Sequence, residues 1–315
     1  MLAAHSFQDE FLMPQLTKEE RKKGKRRQER RQTLVAYALL SPFLVLLVMF
    51  AFFPVLYAFG LSFFDTIDNV FWGFTNYREA LNDFRLVPAI WNVLQYVATW
   101  VSMMVIGVTL LALLLDTLPE RPAAIIRSVY FLPGAIASSA VVVLWLFLLD
   151  PLVSPFSWIF ESFGWTNRQS TIAGLGEVGI FSLMAFLGNS GGWIVVMGGA
   201  LSGISRDILE AARIDGANPW QMAVRIKIPM VSKTITLMAI MTIAVGLQIF
   251  VEPQLLSLAG GQFDKPDWSV TQLAFFYAFN WGDFGVAAAI SSLSLILPLI
   301  IAFTLIFATR FYKID

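Results

Sequence analysis

The chain has 315 residues, of which 57% are hydrophobic and only 14% are charged, and its mean hydropathy is +0.69. A soluble domain of this length carries about a quarter charged residues, so this composition excludes an ordinary soluble protein and indicates a polytopic membrane protein. The 22 basic and 22 acidic residues cancel, and the absence of cysteine excludes disulfides and thiolate metal sites.

A strongly basic segment comes first, with nine Lys and Arg residues between Lys18 and Arg31. Taken alone, such a run is typical of nucleic-acid binding. An apolar stretch begins immediately after it, which favours a topology anchor beside anionic membrane lipid. We therefore expect a basic tail over residues 1–32, a transmembrane domain over residues 33–315, and no nucleic-acid partner.

Six uncharged apolar runs follow, each long enough, at about 20 residues per crossing, for one membrane-spanning helix. Pro54, Pro133 and Pro298 lie within these runs, and each predicts a bend. The expected fold class is an all-α integral membrane protein with six transmembrane helices. The predicted spans cover residues 33–64, 86–115, 128–149, 178–205, 234–251 and 284–309.

Basic residues are divided unequally between the two sides of this predicted topology. With six spans both termini share a side, and 18 of the 22 Lys and Arg residues fall on that side. The positive-inside rule therefore places the N- and C-termini, and the loop after the fourth span, in the cytoplasm. The basic residues on the other side are Arg78, Arg85, Arg168 and Lys265.

The loop after the fourth span, from Arg206 to Pro229, predicts two short helices joined by a sharp bend. Asp207 and Glu210 have the spacing of a capping box and predict the start of the first helix. Gly216 suits the left-handed residue just past its end.

A second helix is predicted directly after the bend. Asn218 and Pro219 fit its N-cap and its first position. Trp220, Val224 and Lys227 are expected to share one of its faces. Composition alone favours a different interpretation, an amphipathic connector at the membrane surface.

The order of residues in this loop resembles the EAA loop of ABC importer permeases, the membrane subunits that pass ATPase movements to a transport pathway. The matching stretches are Glu210-Ala211-Ala212, Asp215-Gly216-Ala217 and Ile226-Lys227-Ile228-Pro229. Ala223 departs from the pattern, since these permeases usually have a large apolar residue there. Further segments resemble carbohydrate-type ABC permeases in order and spacing: residues 39–65, 73–81, 130–151, the LSLAGG turn at 256–261, and 284–307.

This resemblance implies a six-helix type I importer permease with the MetI-like fold, in a bacterial or archaeal cytoplasmic membrane. It also implies four partners: a second homologous permease, two cytoplasmic ATPase subunits and an extracytoplasmic solute-binding protein. ATP and Mg would belong to the ATPase subunits, leaving this chain with no cofactor, metal or catalytic residue. The residues implied to couple to the ATPase are Glu210, Ala211, Ala212, Asp215, Gly216, Ala217, Ile226 and Pro229.

The predicted spans contain no Lys or Arg, which favours a neutral solute, with a sugar or oligosaccharide as the leading choice. Membrane-embedded amides can hydrogen-bond sugar hydroxyls, and an indole can stack on a sugar ring. Interhelical hydrogen bonds and an interfacial tryptophan are equally good explanations for the same residues. The candidate pathway residues are Asn92, Gln95, Asn189, Trp193, Gln248 and, at the outer end of the fifth span, Glu252.

An intramembrane serine protease is the alternative from another class, because Gly188-Asn189-Ser190-Gly191 matches the GxSG pattern of rhomboid proteases. That chemistry needs a histidine base, and the only histidine is His5 in the basic tail. The glycines of this span are therefore predicted to be packing residues that allow close helix approach. The predicted packing face comprises Gly188, Gly192, Gly199 and Gly203.

Other transport functions also stay open. The same architecture could import glycerol phosphate or a peptide, and a stand-alone secondary transporter would have similar apolar spans. The chain has no GxxxxGK[ST] phosphate loop, so it is not expected to hydrolyse ATP itself.

Overall fold

The computed structural model describes residues 18–136, 138–258 and 265–308, and the described part is mostly helical. His5, the basic residues after 308 and the end of the predicted LSLAGG turn lie outside it. The helices are α1 Lys18–Leu47, α2 Phe53–Leu61, α3 Thr75–Asn82, α4 Leu86–Met103, α5 Thr109–Asp116, α6 Glu120–Phe131, α7 Ser138–Leu148, α8 Ser157–Ser162, α9 Arg168–Leu175, α10 Glu177–Ser202, α11 Arg206–Ile214, α12 Pro219–Gln221, α13 Ile228–Met230, α14 Ser232–Gly246, α15 Val251–Leu258, α16 Val270–Asn280 and α17 Phe284–Ala308.

Within the described residues, five helical segments are long and apolar enough to cross a membrane, or up to six if one bent helix pair counts as a single span. The multi-pass, all-α prediction is therefore confirmed at this coarser level. The five segments are Arg30–Leu61, Leu86–Asp116, Glu177–Ser202, Ser232–Ser257 and Phe284–Ile301.

The predicted third span, residues 128–149, has the bend expected at Pro133, but it is divided there into two separate helices. Helix α6 ends at Phe131, a 3₁₀ turn covers Pro133–Ala135, and the chain then bends by 103° into α7. Pro133 explains the position of the bend, because its ring and its missing N–H prevent an α-helix from continuing through it. The bent pair is also longer than predicted, since α6 begins at Glu120 and includes Arg121 and Arg127.

The chain divides into two compact units, residues 1–58 and 59–315. In the first unit, helix α1 begins at Lys18, so the basic run is already helical and the tail boundary predicted at residue 32 does not coincide with a helix end. A π-helical turn, Val48–Phe52, then leads into α2 before Pro54. This accommodates the proline without ending the helix.

A short hairpin opens the remaining unit, where the sequence predicted the first span to continue to residue 64. Strands β1 Phe64–Asp65 and β2 Val70–Phe71 pair antiparallel. The Asp65 carboxylate accepts a hydrogen bond from the Ile67 N–H at 2.8 Å, which stabilises the turn. Two-residue strands are too short for an alternating pattern, so this hairpin could not be predicted from hydrophobic periodicity.

The fifth span contains a break. Helix α14 ends at Gly246 and α15 begins at Val251, so residues 247–250 are non-helical inside an otherwise apolar segment. The freed carbonyl of Ile249 accepts a hydrogen bond from Thr271 Oγ1 at 2.5 Å. Irregular backbone at membrane depth requires such a partner, because no bulk water reaches it.

Two apolar clusters form the core of the larger unit. The first joins the spans containing α4, α10 and α14, with Met104, Met197 and Met238 fully buried at its centre. The second joins α3, α16 and α17 around Leu273 and Ile290. Close van der Waals packing, more than exclusion of water, stabilises such contacts between membrane helices.

Candidate functional site: a capped elbow and a cavity at two helix breaks

The loop from Arg206 to Met230 forms two short helical segments joined by a bend, and we call this segment the elbow. Its first helix, α11, follows Ser205, which makes no side-chain cap. The predicted capping box at Asp207 and Glu210 is therefore wrong. Asp207 lies inside the first turn, where a carboxylate is favoured by the positive end of the helix dipole.

The bend of the elbow has the predicted glycine conformation. Gly216 has a φ of +82°, in the left-handed region that side chains avoid. The Gly216 N–H donates to the Arg213 carbonyl at 3.1 Å, and the Ala217 N–H donates to the Ala212 carbonyl at 3.0 Å. These two bonds form a Schellman motif, which satisfies the last carbonyls of α11 and fixes the exit direction of the chain.

The second helical segment begins as predicted. The Asn218 side chain accepts a hydrogen bond from the Gln221 N–H at 2.8 Å, while the Gln221 side chain accepts one from the Asn218 N–H at 3.0 Å. Pro219 occupies the first helical position, where a missing N–H costs nothing. The segment continues through a π-helical stretch, Met222–Lys227, into α13. Local hydrogen bonds thus cap both sides of the bend.

One side of the elbow is exposed and apolar. Ile214 is 86% exposed and Trp220 is 71% exposed, while Glu210 and Asp215 add exposed carboxylates beside them. An apolar patch rimmed by charge is typical of a protein interaction site. Of the other predicted coupling residues, Ala211 and Pro229 are exposed, and Ala212, Gly216, Ala217 and Ile226 range from half-buried to exposed.

The other side of the elbow is attached to the spans. Met222 and Val231 are buried, and Leu209 packs against the first apolar cluster. Lys227 pairs with Asp116 at the end of α5. The prediction that Lys227 shares a face with Trp220 is therefore wrong, since the two side chains are in opposite environments. The wider π-helical turn between them shifts the periodicity on which that prediction relied.

Two neighbouring cavities lie between α10 and the bent pair. The larger, about 390 Å³, is lined by Asn189 and Trp193. The smaller, about 260 Å³, is lined by Asn189 and Glu252. Three of the six predicted pathway residues therefore meet in one region. The residues common to both linings are Gly134, Gly188 and Asn189.

Both helix breaks border this region. The 3₁₀ turn of the bent pair contributes Gly134, and the break in the fifth span is followed directly by Glu252 in the first turn of α15. Asn189 donates one hydrogen bond to the Ala185 carbonyl at 2.9 Å, and this residue lines both cavities. A carboxylate, an amide and an indole around two broken spans form a site that can bind hydroxyl groups.

The other three predicted pathway residues do not line these cavities. Asn92 donates to the Trp268 carbonyl at 3.2 Å and so fastens α4 to the segment before α16. Gln248 is exposed at the break in the fifth span and donates to the Ala244 carbonyl at 3.1 Å. Gln95 is exposed on α4. Their part in a pathway stays a prediction.

The predicted packing face of α10 is found only in part, since the bent pair approaches the Gly188 backbone but not Gly192 or Gly199. A Cβ at Gly188, Gly192 or Gly199 would meet nothing within 4 Å, apart from neighbours in its own helix. The close approach occurs at Gly191, where a Cβ would lie 2.2 Å from the Tyr130 carbonyl oxygen. Gly134 of the bent pair similarly lies against the Gly188 carbonyl. Glycines occur on both faces of α10, so spacing alone did not identify the packed face.

Ser190, the serine of the GxSG pattern, is fully buried, and its hydroxyl has no hydrogen-bond partner among the described residues. No histidine occurs anywhere in the described part of the chain. Nor do the described residues bring together three or more His, Asp or Glu side chains that could hold a metal ion. Ser190 therefore lacks the base that a serine nucleophile requires.

An aromatic and ionic cluster at the start of α4 was missed from the sequence. Arg85 binds the Asp83 carboxylate through Nε and Nη2, the latter at 2.7 Å, and lies 4.7 Å from the Trp281 ring centroid. Tyr277 also donates to Asp83 at 2.7 Å. Burial alone would raise the pKa of Asp83, but hydrogen bonds from Arg85 and Tyr277 outweigh it and lower this pKa to about 2. Burial, together with its bond to Asp83, raises the pKa of Tyr277 to about 12.

The chain is similar in sequence to known transport permeases. The chain is 29% identical over 271 residues to the osmoprotective compounds uptake permease GgtC of Synechocystis sp., covering 82% of this chain and 92% of that protein. It is 28% identical over 272 residues to the alpha-glucoside transport system permease AglF of Rhizobium meliloti, covering 82% and 77%. No family model matches the chain.

Solved structures include the same fold. A crystal structure of a bacterial alginate ABC transporter, in complex with an alginate pentasaccharide-bound periplasmic protein, contains a chain that matches with a TM-score of 0.76. The match covers 90% of this chain and 96% of that one, at 18% sequence identity. The resemblance to carbohydrate-type ABC permeases is therefore confirmed.

Proposed function

We propose that this chain is a membrane-spanning permease subunit of an ATP-driven importer, and that it forms half of the pathway for a sugar or oligosaccharide delivered by a solute-binding protein. The observation that carries the proposal is the elbow, a doubly capped bend between α10 and α14 with an exposed apolar side. Capping makes the bend rigid, and a rigid segment can transmit a displacement without first deforming.

The proposed partners lie on the two sides of the membrane that the chain is proposed to span. The exposed side of the elbow would bind an ABC ATPase, which requires that the elbow lie in the cytoplasm. The unequal distribution of basic residues supports this orientation. Two ATPase subunits, a second permease of the same fold and an extracytoplasmic binding protein would complete the importer in a bacterial or archaeal cytoplasmic membrane.

The proposed pathway runs past the paired cavities beside Asn189, Trp193 and Glu252. In the described part of the chain, their lining has one carboxylate and no Lys, Arg or His. A half-buried carboxylate, Glu252, repels anionic solutes and accepts hydrogen bonds from hydroxyls, which favours a neutral sugar over glycerol phosphate. Arg127 belongs to the bent pair but faces Gly198 outside this lining, so it does not reverse the preference.

The proposed mechanism is alternating access. ATP binding closes the two ATPase subunits, and the elbow passes that closure to the spans, which opens the pathway toward the loaded binding protein. Solute enters beside the helix breaks and is released to the cytoplasm after hydrolysis. The chain supplies the pathway and the coupling surface, and the partner ATPases supply the chemistry.

Reconstitution tests this proposal. The permease, its partner permease and the ATPase are purified together and placed in proteoliposomes, and the binding protein is added with maltose, trehalose or sucrose as probe. We expect ATP-dependent uptake of at least one of these sugars and stimulation of ATP hydrolysis. Uptake that required no ATPase would contradict the proposal, and stimulation only by an anionic solute such as glycerol 3-phosphate would contradict the sugar assignment.

A further inference from the structure

An ion pair links the elbow to a distant span. Lys227 Nζ lies 2.5 Å from Asp116 Oδ2, and the two residues are 111 positions apart in the sequence. Their side chains are only 15% and 23% exposed. The pair is therefore held mostly away from water, where the attraction between opposite charges is less screened than at an open surface.

Asp116 lies at a position where a carboxylate needs a positively charged partner. Asp116 is the last residue of α5, where the negative end of the helix dipole disfavours a carboxylate. Partial burial adds a desolvation cost that only an opposite charge can offset. Lys227 provides that charge. Either residue without the other would leave a poorly hydrated charge in an unfavourable place.

The two ends of the pair belong to bodies that a transport cycle must move together. Lys227 ends the π-helical stretch of the elbow, and its side chain is mostly buried whereas Trp220 is exposed. Asp116 ends a continuous helical segment that begins at Leu86 and packs in the first apolar cluster. A displacement applied to the exposed side of the elbow therefore has a charged link to this span through the ion pair, in addition to the packing of Leu209 against the first apolar cluster.

We propose that Lys227 and Asp116 form a coupling strut that makes the elbow and the span Leu86–Asp116 move as one body during ATP-driven transport. The proposal rests on the proposed function, because it assumes that an ATPase acts on the elbow. Both are positioning residues, since neither lines the cavities or belongs to the exposed side. Spatial proximity alone does not demonstrate coupling, so the test must measure it directly.

The test uses the complete importer with Lys227→Met, Asp116→Asn, the double neutral variant, and the exchanged pair Lys227→Asp with Asp116→Lys. Each single variant leaves one charge unpaired and is expected to lower the melting temperature. The double neutral variant leaves no such charge and should recover stability. It should still lose sugar-stimulated ATP hydrolysis by about fivefold or more, the lower end of typical coupling between sites. The exchanged pair should regain most of the stimulation.

A second measurement needs no transported solute. The chain has no cysteine, so spin labels can be attached at Gln221→Cys and Leu118→Cys alone. With the strut intact, ATP should leave the distance between the two labels unchanged. In the double neutral variant, ATP should shift or broaden that distance, because the elbow can then move without the span.

Arg121→Met is the matched control, since it removes an exposed positive charge near the start of α6, outside the elbow. It should keep its sugar-stimulated hydrolysis. The strut is refuted if the double neutral variant couples like the wild type, or if Arg121→Met loses as much stimulation. A wild-type chain that binds no ATPase would instead refute the proposed function, so the two failures are distinguishable.

Discussion

Gly191→Ala should destabilise the packing of the bent pair against α10. A Cβ at this position would lie 2.2 Å from the Tyr130 carbonyl oxygen, 2.5 Å from its carbonyl carbon and 2.6 Å from the Phe131 Cα. All three are backbone atoms, so no rotamer change can relieve the overlap. The substitution must therefore push α6 and α10 apart.

Overpacking of a well-packed contact costs about 1–3 kcal/mol, and we expect the upper end because the obstructing atoms are backbone. At about 2–4 °C per kcal/mol, the scale for domains of 150–250 residues, about 3 kcal/mol lowers the melting temperature by roughly 6–12 °C. Gly192→Ala is the control one residue away, where a Cβ meets nothing within 4 Å. Alanine is a better helix former than glycine by about 1 kcal/mol, so this control should be neutral or slightly stabilising.

The assay is the melting temperature of the purified permease in detergent, followed by size-exclusion chromatography after heating. Gly198→Ala is expected to fall between the other two, because its Cβ would lie 3.2 Å from the Arg127 guanidinium, which can move. A Gly191→Ala protein that melts like the wild type, with a large loss in Gly192→Ala, would refute the observed packing and restore the face predicted from glycine spacing.

Three other predictions concern the bend of the elbow, the carboxylate of Asp83 and the orientation of the chain in the membrane. Gly216→Val should abolish ATPase association while leaving the protein in the membrane. The reason is that a β-branched residue resists a φ of +82°. Co-purification of the permease with the ATPase measures the association. The melting temperature should fall as the pH is lowered from about 4 to about 2, because the pKa of Asp83 is about 2 in the folded state and ordinarily 3.8. Asp83→Asn should reduce this dependence of the melting temperature on pH. In sealed cells, an impermeant thiol reagent should label Asn82→Cys and not Gln221→Cys, and the reverse pattern would contradict the proposed orientation.

The elbow was largely predictable because helix capping is local. Gly216, Asn218 and Pro219 each act on groups within a few residues, so their roles could be inferred without knowing the fold. The start of α11 was predicted wrongly for a related reason. A carboxylate at Asp207 suits the first turn of a helix as well as the N-cap position, and the sequence did not distinguish the two.

The presence of several apolar spans was predictable, but their internal geometry was not. Pro133 indicated a bend, although not one of 103°. The break at residues 247–250 has no proline at its start, and its freed carbonyl is satisfied by Thr271, which lies 22 positions along the chain from its acceptor. Such a partner becomes visible only when the helices are placed together. The same holds for Lys227 and Asp116, whose pairing has no signal in sequence spacing.

The elbow and the cavity region differ in which residues provide hydrogen-bond partners for their backbone groups, and this difference fits their proposed roles. The bend at Gly216 is closed entirely by hydrogen bonds within the elbow, so the elbow can be displaced without losing any of them. The break at residues 247–250 depends on Thr271, a residue on another segment, and such bonds can be exchanged when helices shift. We therefore expect the elbow to move as a rigid body when a force acts on it. The backbone should change conformation at the broken spans instead, beside Asn189 and Glu252. Such a change would alter access to the proposed pathway.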